Sequence, residues 1–329
     1  MKYKLERFYN LEFIISSSYN IESLLELESF KSFFLRLNDL LGVNLAFKFY
    51  VFWGTKYDEL YLLDNIKNIL PDNNVLFWIG DEESYIPSDY VFRKFSFIFK
   101  MHLNSKAAIK IENDEFIFKK GLYHFPLLTI DDVPELPILP LCERKYSIYF
   151  CGNLNKNRVS FYIALNKKAS LLARLDNFLL RNNLRGGDKL YEFYFRNKSF
   201  NLSYLCDNAY IKFYSGFNNG DNYDKYAYFL QNSKIVLSPK GFHSTECFRL
   251  YEAMRQGCIV ITEELPKVPC YKNAPCITIN DWANLPNIIN DNQLLNSYSP
   301  DNIKDFYNKK LSPYGIANYV FNILTHKSF

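Results

Sequence analysis

The stretch Ser233–Glu264 holds the side chains whose types and spacing suit one chemistry, the binding of a diphosphate. It reads as a strand, Lys234-Ile-Val-Leu-Ser238, then a loop through Pro239-Lys240-Gly241-Phe242-His243-Ser244, a helix from about Thr245 to Gln256, and a strand Cys258–Thr262. In open parallel sheets ligands bind beyond the carboxyl ends of the strands, where loops run into helix amino ends, and this loop sits in that place. Ser244 or Thr245 supplies an N-cap, the unpaired N–H groups of the first turn favour a phosphate, and Lys240 adds a positive charge. Helical spacing puts Thr245, Arg249, Glu252 and Gln256 on one face, with Cys247, Leu250 and Met254 on the buried one. A guanidinium one turn into a helix can grip a diphosphate, and a carboxylate one turn further can accept from two ribose hydroxyls. The same spacing also suits a plain Arg249–Glu252 surface pair worth roughly 0.3–0.5 kcal/mol, and spacing alone leans to that pair.

Other residues with chemical potential flank this stretch. Gly152-Asn-Leu-Asn-Lys-Asn-Arg158 follows a short strand, Ser147–Cys151, so its backbone and Arg158 can face the same anion. His243 lies in the loop, where it can donate to a phosphate or a sugar. Glu263 and Glu264 follow the last strand, where they can touch sugar hydroxyls but read first as a solvated turn, while His102, His124 and His326 read as structural or surface residues.

The elements that must position these groups alternate in type. Ile21–Leu41 carries apolar residues at helical spacing. Leu45–Trp53 and Asn74–Ile79 are apolar runs that end in glycine and read as buried strands, with a helical Asp64–Leu70 between them. Val91–Leu103 and Phe116–Phe118 read as further strands. Pro126, Pro134, Pro137 and Pro140 mark an extended linker near 126–141, which divides the chain into domains 1–140 and 141–329. Beyond it, helices over Phe161–Asn182 and Asp224–Asn232 and a strand Ile211–Tyr214 complete an alternating pattern that implies a parallel, doubly wound sheet. The last helix, Tyr314–Leu324, is expected to pack back on the first domain.

Composition excludes several classes. The 329 residues suffice for two cores, and 39 basic against 35 acidic side chains leave a net charge of +4. No run of five or six Lys or Arg occurs, so no nucleic-acid partner is expected; a modest attraction to anionic membranes is compatible with the charge. The 18% aromatic content has no spacing of its own and reads as core. Seven cysteines without a Cys-x-x-Cys pair argue against zinc and fit reduced thiols. Glu6, Arg7, Asn10 and Glu12 interrupt any apolar leader, and no segment offers the ~18 apolar residues of a membrane span. These features predict a cytoplasmic protein.

Ser233-Lys-Ile-Val-Leu-Ser-Pro-Lys-Gly241, Phe248-Arg-Leu-Tyr-Glu-Ala253, Gly257-Cys-Ile-Val-Ile-Thr262 and Asn280-Asp-Trp-Ala-Asn-Leu285 together resemble the nucleotide-binding half of glycosyltransferases of the GT-B architecture, most closely the exostosin-like family. Ile259-Val260 stands where that family has Pro-Val. The resemblance covers about the last third of the chain. It implies an α/β fold with two Rossmann-like domains facing a cleft, the first on the acceptor side and the second binding a nucleotide sugar. It places Arg249 at the donor diphosphate, Glu252 at the ribose, and the Gly241–Thr245 turn under the phosphates.

Retaining GT-B enzymes commonly carry Glu-x7-Glu here, and Ser244 occupies the first position of that pattern. The departure favours inversion, a single displacement with a general base at the acceptor and cationic groups at the leaving diphosphate, and no metal or other cofactor. Gly80-Asp-Glu-Glu83 follows a buried strand, so Asp81, Glu82 and Glu83 are the candidate bases; a solvated acidic turn is the plain alternative. Trp78–Tyr90 is similar to the acidic loop of α1,3-fucosyltransferases, which use a GDP-sugar. The expected activity is transfer from a nucleotide-diphosphate sugar, UDP-linked by preference, to an oligosaccharide or lipid-linked glycan of lipopolysaccharide or capsule. Peripheral association with the inner face of the cytoplasmic membrane would suit such an acceptor. A GDP-fucose-dependent enzyme and a non-catalytic carbohydrate- or nucleotide-binding protein of the same fold are the alternatives.

Overall fold

The computed structural model describes residues 11–15, 28–42, 47–80, 84–128, 133–153, 158–165, 206, 208–214, 221–241 and 243–326. They form two compact α/β units. Unit 1 comprises Met1–Asp131, Pro266–Asn273 and Tyr307–Phe329; unit 2 comprises Asp132–Leu265 and Ala274–Phe306. The division thus falls within the proline-rich segment, and two later segments belong to the first unit.

Unit 1 contains β1 (Leu11–Ile15), α1 (Glu28–Leu41), β2 (Lys48–Trp53), α2 (Glu59–Ile66), β3 (Asp72–Ile79), α3 (Asp89–Lys94), β4 (Phe95–Lys100), β5 (Lys110–Glu112), β6 (Glu115–Ile117) and β7 (Leu122–His124). A five-stranded sheet runs β1-β2-β3-β4-β7 with every neighbour parallel. The central residues of β2 and β3, Phe49–Phe52 and Val75–Ile79, are a continuous apolar, buried run, the pattern of a parallel sheet covered on both faces. Phe30, Phe33, Phe34 and Leu37 give α1 its buried stripe, and Phe33 and Phe34 both meet Phe77 of β3 edge-on at 5.5 and 5.4 Å. The strand expected over Val91–Leu103 is instead a short helix followed by β4. Pro87-Ser88-Asp89 starts the helix, with Ser88 in extended N-cap conformation. The β5–β6 hairpin holds Pro266–Asn273 in this unit: Phe116 N–H donates to Lys267 O at 2.7 Å, and Lys267 and Lys272 pair with Asp114 and Glu115 at 2.7 and 2.8 Å.

Unit 2 contains β8 (Tyr146–Asn153), α4 (Val159–Leu165), β9 (Ala209–Tyr214), α5 (Tyr223–Gln231), β10 (Ser233–Ser238), α6 (Phe248–Arg255), β11 (Ile259–Thr262), β12 (Cys276–Thr278), α7 (Leu285–Asn290), α8 (Asn292–Asn296) and α9 (Pro300–Phe306). Its sheet runs β12-β11-β10-β8-β9, again all parallel. The strand expected to stop before Gly152 continues through it. The helix expected over Phe161–Asn182 is described only as α4, and its remainder lies outside the described residues. Gly257 follows α6 with φ +64°, and a Cβ there would meet Pro300 O at 2.9 Å; only glycine closes this helix so tightly. After α9 a π-helical turn, Tyr307–Leu311, leads to α10 (Pro313–His326), whose buried Ile316, Ala317, Val320 and Leu324 belong to unit 1, where α10 packs on α1. No helix among the described residues is long and apolar enough to cross a membrane.

Arg144, just before β8, is buried and joins three elements of unit 2. Its guanidinium donates to Leu139 O at 3.0 Å, Ser233 O at 2.8 Å and Gln256 O at 3.0 Å. Each buried carbonyl left without a donor costs about 1–3 kcal/mol, so Arg144→Met is expected to destabilise the protein by about 3 kcal/mol or more. The measurement is the urea midpoint; a wild-type midpoint would refute this role.

Candidate functional site

Helix α6 is shorter than the sequence pattern suggests, and this moves its amino end. Cys247 is the N-cap, without a side-chain cap bond; its Sγ lies 3.0 Å from Ser238 Oγ. Ser244 and Thr245 therefore do not cap the helix, and Gln256 lies just beyond it, buried. The residues before the cap fold into a turn that satisfies itself. Gly241 N–H donates to Ser244 O at 2.7 Å, and Glu246 N–H donates to Ser244 Oγ at 3.1 Å. Thr245 Oγ1 donates to Glu264 O at 3.1 Å. Lys240 N–H donates to Glu263 Oε2 at 2.8 Å, and the other oxygen of Glu263 accepts from Trp282 Nε1 at 2.7 Å. Glu263 is thus a tether for this turn rather than a solvated residue. The Lys240 and His243 side chains are exposed, Gly241 and Thr245 are half-buried and Ser244 is buried. The N–H groups of Lys240, Gly241 and Glu246 are thus occupied, and the buried carboxylate of Glu246 lies beside them, so these groups offer no donors to a phosphate.

The positive charge converges instead at the carboxyl end of β8. Arg249, in the first turn of α6, donates through Nε and Nη2 to Cys151 O at 3.1 and 2.6 Å, and its guanidinium carbon lies 4.6 Å from the centre of the Phe150 ring. Nη1 of Arg249 is buried without a hydrogen-bond partner. Arg158, only 5% exposed, approaches the same ring at 6.0 Å. It donates through Nε to Lys240 O at 2.7 Å and through Nη1 to Asn153 O at 2.9 Å, so it ties the turn to the strand end. Burial pulls the Arg158 guanidinium below its ordinary pKa, and the charge of Arg249 pulls it the same way. Gly152 makes the approach fit: a Cβ there would stand 2.4 Å from Arg249 Nη2 and 3.1 Å from the Phe150 ring.

Glu252 lies one turn further along α6 and is 3% exposed. Its Oε2 accepts from the Tyr226 hydroxyl of α5 at 2.7 Å. Burial raises the Glu252 carboxyl above its ordinary value, against the opposing pull of the Tyr226 hydrogen bond and of Arg249 and Arg255. Arg249 and Glu252 are therefore not the exposed pair that spacing alone favours: the half-buried Arg249 is bonded to the Cys151 carbonyl, and Glu252 is buried against Tyr226. Two desolvated guanidiniums with an unspent N–H group, beside a buried carboxylate, form a place for an anion that also carries hydroxyls.

Three participants escaped the sequence reading: the Cys151 carbonyl, the Phe150 ring and Tyr226. Backbone carbonyl direction leaves no trace in residue type, and Tyr226 is 26 residues from Glu252. Asp221 was also missed; its side chain is 6% exposed and accepts from Lys212 and Lys225 at 3.1 and 2.8 Å. Asp81, Glu82 and Glu83 lie outside the described residues. At the carboxyl edge of the unit 1 sheet, Lys100 and His124 are register partners on β4 and β7, both buried, and His102 is buried with φ +58°. All seven cysteines are free. Among the described residues no three of His, Cys, Asp or Glu come together to hold a metal ion.

Residues 206–304 match the family model of the RXYLT1 C-terminal domain. That family is a glycosyltransferase domain, and the matched segment, under a third of the chain, includes Tyr226, Arg249 and Glu252. No curated protein matches the chain. Among solved structures, a glycosyltransferase from Rickettsia africae ESF-5 is similar at 10% identity and TM-score 0.45, over 97% of this chain and 98% of that one. AviGT4, a glycosyltransferase involved in avilamycin A biosynthesis, is similar at 10% identity and TM-score 0.41, over 96% and 97% of the two chains. Sucrose-phosphate synthase from Thermosynechococcus elongatus is similar at 9% identity and TM-score 0.41, over 85% and 73%.

The crowding at Gly152 yields a direct test of the anion position. The atom nearest the added methyl is the end of a flexible side chain, so Gly152→Ala is expected to fold with a Tm within about 3 °C of wild type. Displacing the guanidinium is expected to weaken inorganic pyrophosphate binding at least about fivefold by calorimetry. Unchanged affinity in a folded variant would place the anion elsewhere.

Proposed function

We propose that this protein is a glycosyltransferase of the GT-B architecture that transfers a sugar from a nucleotide-diphosphate donor, UDP-linked by preference, to a hydroxyl of a surface glycan, with inversion and without a metal. The observation that carries the reading is the Arg249 guanidinium, desolvated at the end of β8 with Nη1 unspent, three residues before the buried carboxylate of Glu252 and inside the segment that matches a glycosyltransferase domain.

In the proposed reaction the acceptor oxygen forms a bond to the anomeric carbon as the bond from that carbon to the diphosphate oxygen breaks. The electron pair leaves with the nucleotide diphosphate, and the acceptor proton goes to a general base. Arg249 and Arg158 stabilise the leaving charge from positions already desolvated, which makes their donors stronger than in water. Lys240, exposed beside them, adds charge at the rim, and His243 and Thr245 flank the same rim. Glu252 accepts from the ribose hydroxyls, which fixes the nucleoside and so the line of departure. Of the donor residues expected from sequence, Gly152, Arg158, Arg249 and Glu252 carry this account, while Gly241 and Ser244 shape the turn. The base is sought among Asp81, Glu82 and Glu83. A glycan acceptor, and a peripheral place on the inner face of the cytoplasmic membrane to reach a lipid-linked one, complete the proposal on the strength of the family resemblance.

The test is protection against thermal unfolding by UDP, GDP and CMP. A ligand at 100 times its Kd adds about 2.7 kcal/mol to stability, so UDP is expected to raise Tm clearly. Arg249→Met is expected to lose tenfold or more in UDP affinity, the scale of one charge-assisted hydrogen bond at about 1.5–3 kcal/mol. Protection by GDP alone would favour the fucosyltransferase-like alternative. Absence of protection by any of the three, or a folded Arg249→Met that binds UDP as wild type does, would refute the reading.

A further inference from the structure

Tyr226 sits on α5, which is held against the sheet by aromatic stacking one turn further along. Phe229 lies parallel to Tyr149 of β8 at 5.5 Å and against Tyr210 of β9 at 4.0 Å. Asn222 caps the helix, its side chain accepting from Lys225 N–H. Both ends of the first turn are thereby fixed, and the Tyr226 hydroxyl is delivered 2.7 Å from Glu252 Oε2. Burial keeps the Tyr226 phenol protonated well beyond its ordinary range, and the neighbouring Glu252 charge reinforces this. The hydroxyl is therefore the donor in this pair.

We propose that Tyr226 is a positioning residue of the donor site: its hydroxyl fixes one oxygen of the Glu252 carboxylate, so that the other oxygen is presented to the ribose hydroxyls of a nucleoside diphosphate. This rests on the donor-site reading of Glu252 given above. The need for such a residue follows from the burial of Glu252. A desolvated carboxyl favours its neutral form, and a neutral carboxyl accepts more weakly from two hydroxyls than a carboxylate does. The groups opposing that tendency are Tyr226 from α5 and Arg249 and Arg255 from α6 itself. Arg255 donates to Val133 O at 2.6 Å and Arg249 to Cys151 O, whereas Tyr226 donates to the carboxylate itself.

The sign of the pH effect follows. A carboxyl whose pKa is raised loses its charge earlier as pH falls, so donor affinity is full above that pKa and declines as pH drops through it. Removing the Tyr226 hydroxyl raises the pKa further and moves the decline to higher pH. The experiment is UDP affinity by calorimetry across pH 5–9 for wild type, Tyr226→Phe, Glu252→Gln and the double variant. Because the terminal phosphate of UDP itself titrates at about pH 6, Glu252→Gln supplies the background from the ligand and from His243.

After that background is subtracted, Tyr226→Phe is expected to shift the midpoint upward by about one pH unit, the scale of a hydrogen bond to an ionised carboxylate. The double variant is expected to match Glu252→Gln, since Tyr226 acts through Glu252. Site-specific 3-fluorotyrosine at 226 keeps the shape and strengthens the donor, so its midpoint is expected to move downward; it serves equally if Tyr226→Phe does not fold. Binding with an unmoved midpoint in these variants, or additive losses in the double variant, would overturn the role of Tyr226 while leaving the donor site standing. No UDP or GDP binding by wild type at any pH would overturn both.

Discussion

Arg249 carries a half-buried guanidinium, one end of which is enclosed without a hydrogen-bond partner. Desolvating a charged side chain costs several kcal/mol, and this one recovers part of that cost from two bonds to a single carbonyl and from the face of Phe150. The remaining N–H group is buried without a partner. The arrangement also constrains its neighbours. It requires glycine at 152, brings a second guanidinium, Arg158, to the same ring, and puts Glu252 on the turn above. Burial opposes the charge, but the surrounding Cys247, Tyr226, Cys151 and Glu252 groups outweigh that cost and hold the guanidinium charged.

The way unit 2 folds explains why two guanidiniums gather at the strand end rather than at the turn. Lys240 is gripped from both sides, its N–H by Glu263 and its carbonyl by Arg158, and the turn after it closes on Ser244. Held by these bonds, the turn braces Arg158, and the N–H groups of Lys240 and Gly241 are already spent. The late start of α6 at Phe248 has the same effect. It brings Arg249 into the first turn, next to β8, where the partial positive charge of the helix end adds to that of the guanidinium.

Much of this was legible from residue types. The period-3 and period-4 spacing of Phe30, Phe33, Phe34 and Leu37 marks α1, and the glycine-terminated apolar runs mark β2 and β3. Arg249 and Glu252 stand out by their spacing and by resemblance. What stayed hidden has physical causes. Val91 to Leu103 is dense in aromatic and β-branched residues, which masks the one-and-a-half turns of α3 although Ser88 and Asp89 carry an amino-end signature. Cys247 is a poor N-cap by type, so the boundary of α6 was read too early. The place of α10 in unit 1 was expected from sequence, whereas that of Pro266–Asn273 depends on long-range pairing, such as Phe116 with Lys267, that no local pattern encodes. The Tyr226–Glu252 bond and the Cys151 carbonyl are products of tertiary packing alone.

The most direct measurement is a crystal structure of the protein grown with UDP. A phosphate oxygen is expected at about 2.7–2.9 Å from Arg249 Nη1, with the ribose hydroxyls against Glu252 and Arg249 still bonded to the Cys151 carbonyl. Nucleotide density elsewhere on the chain, with Nη1 of Arg249 still lacking a partner, would contradict the account.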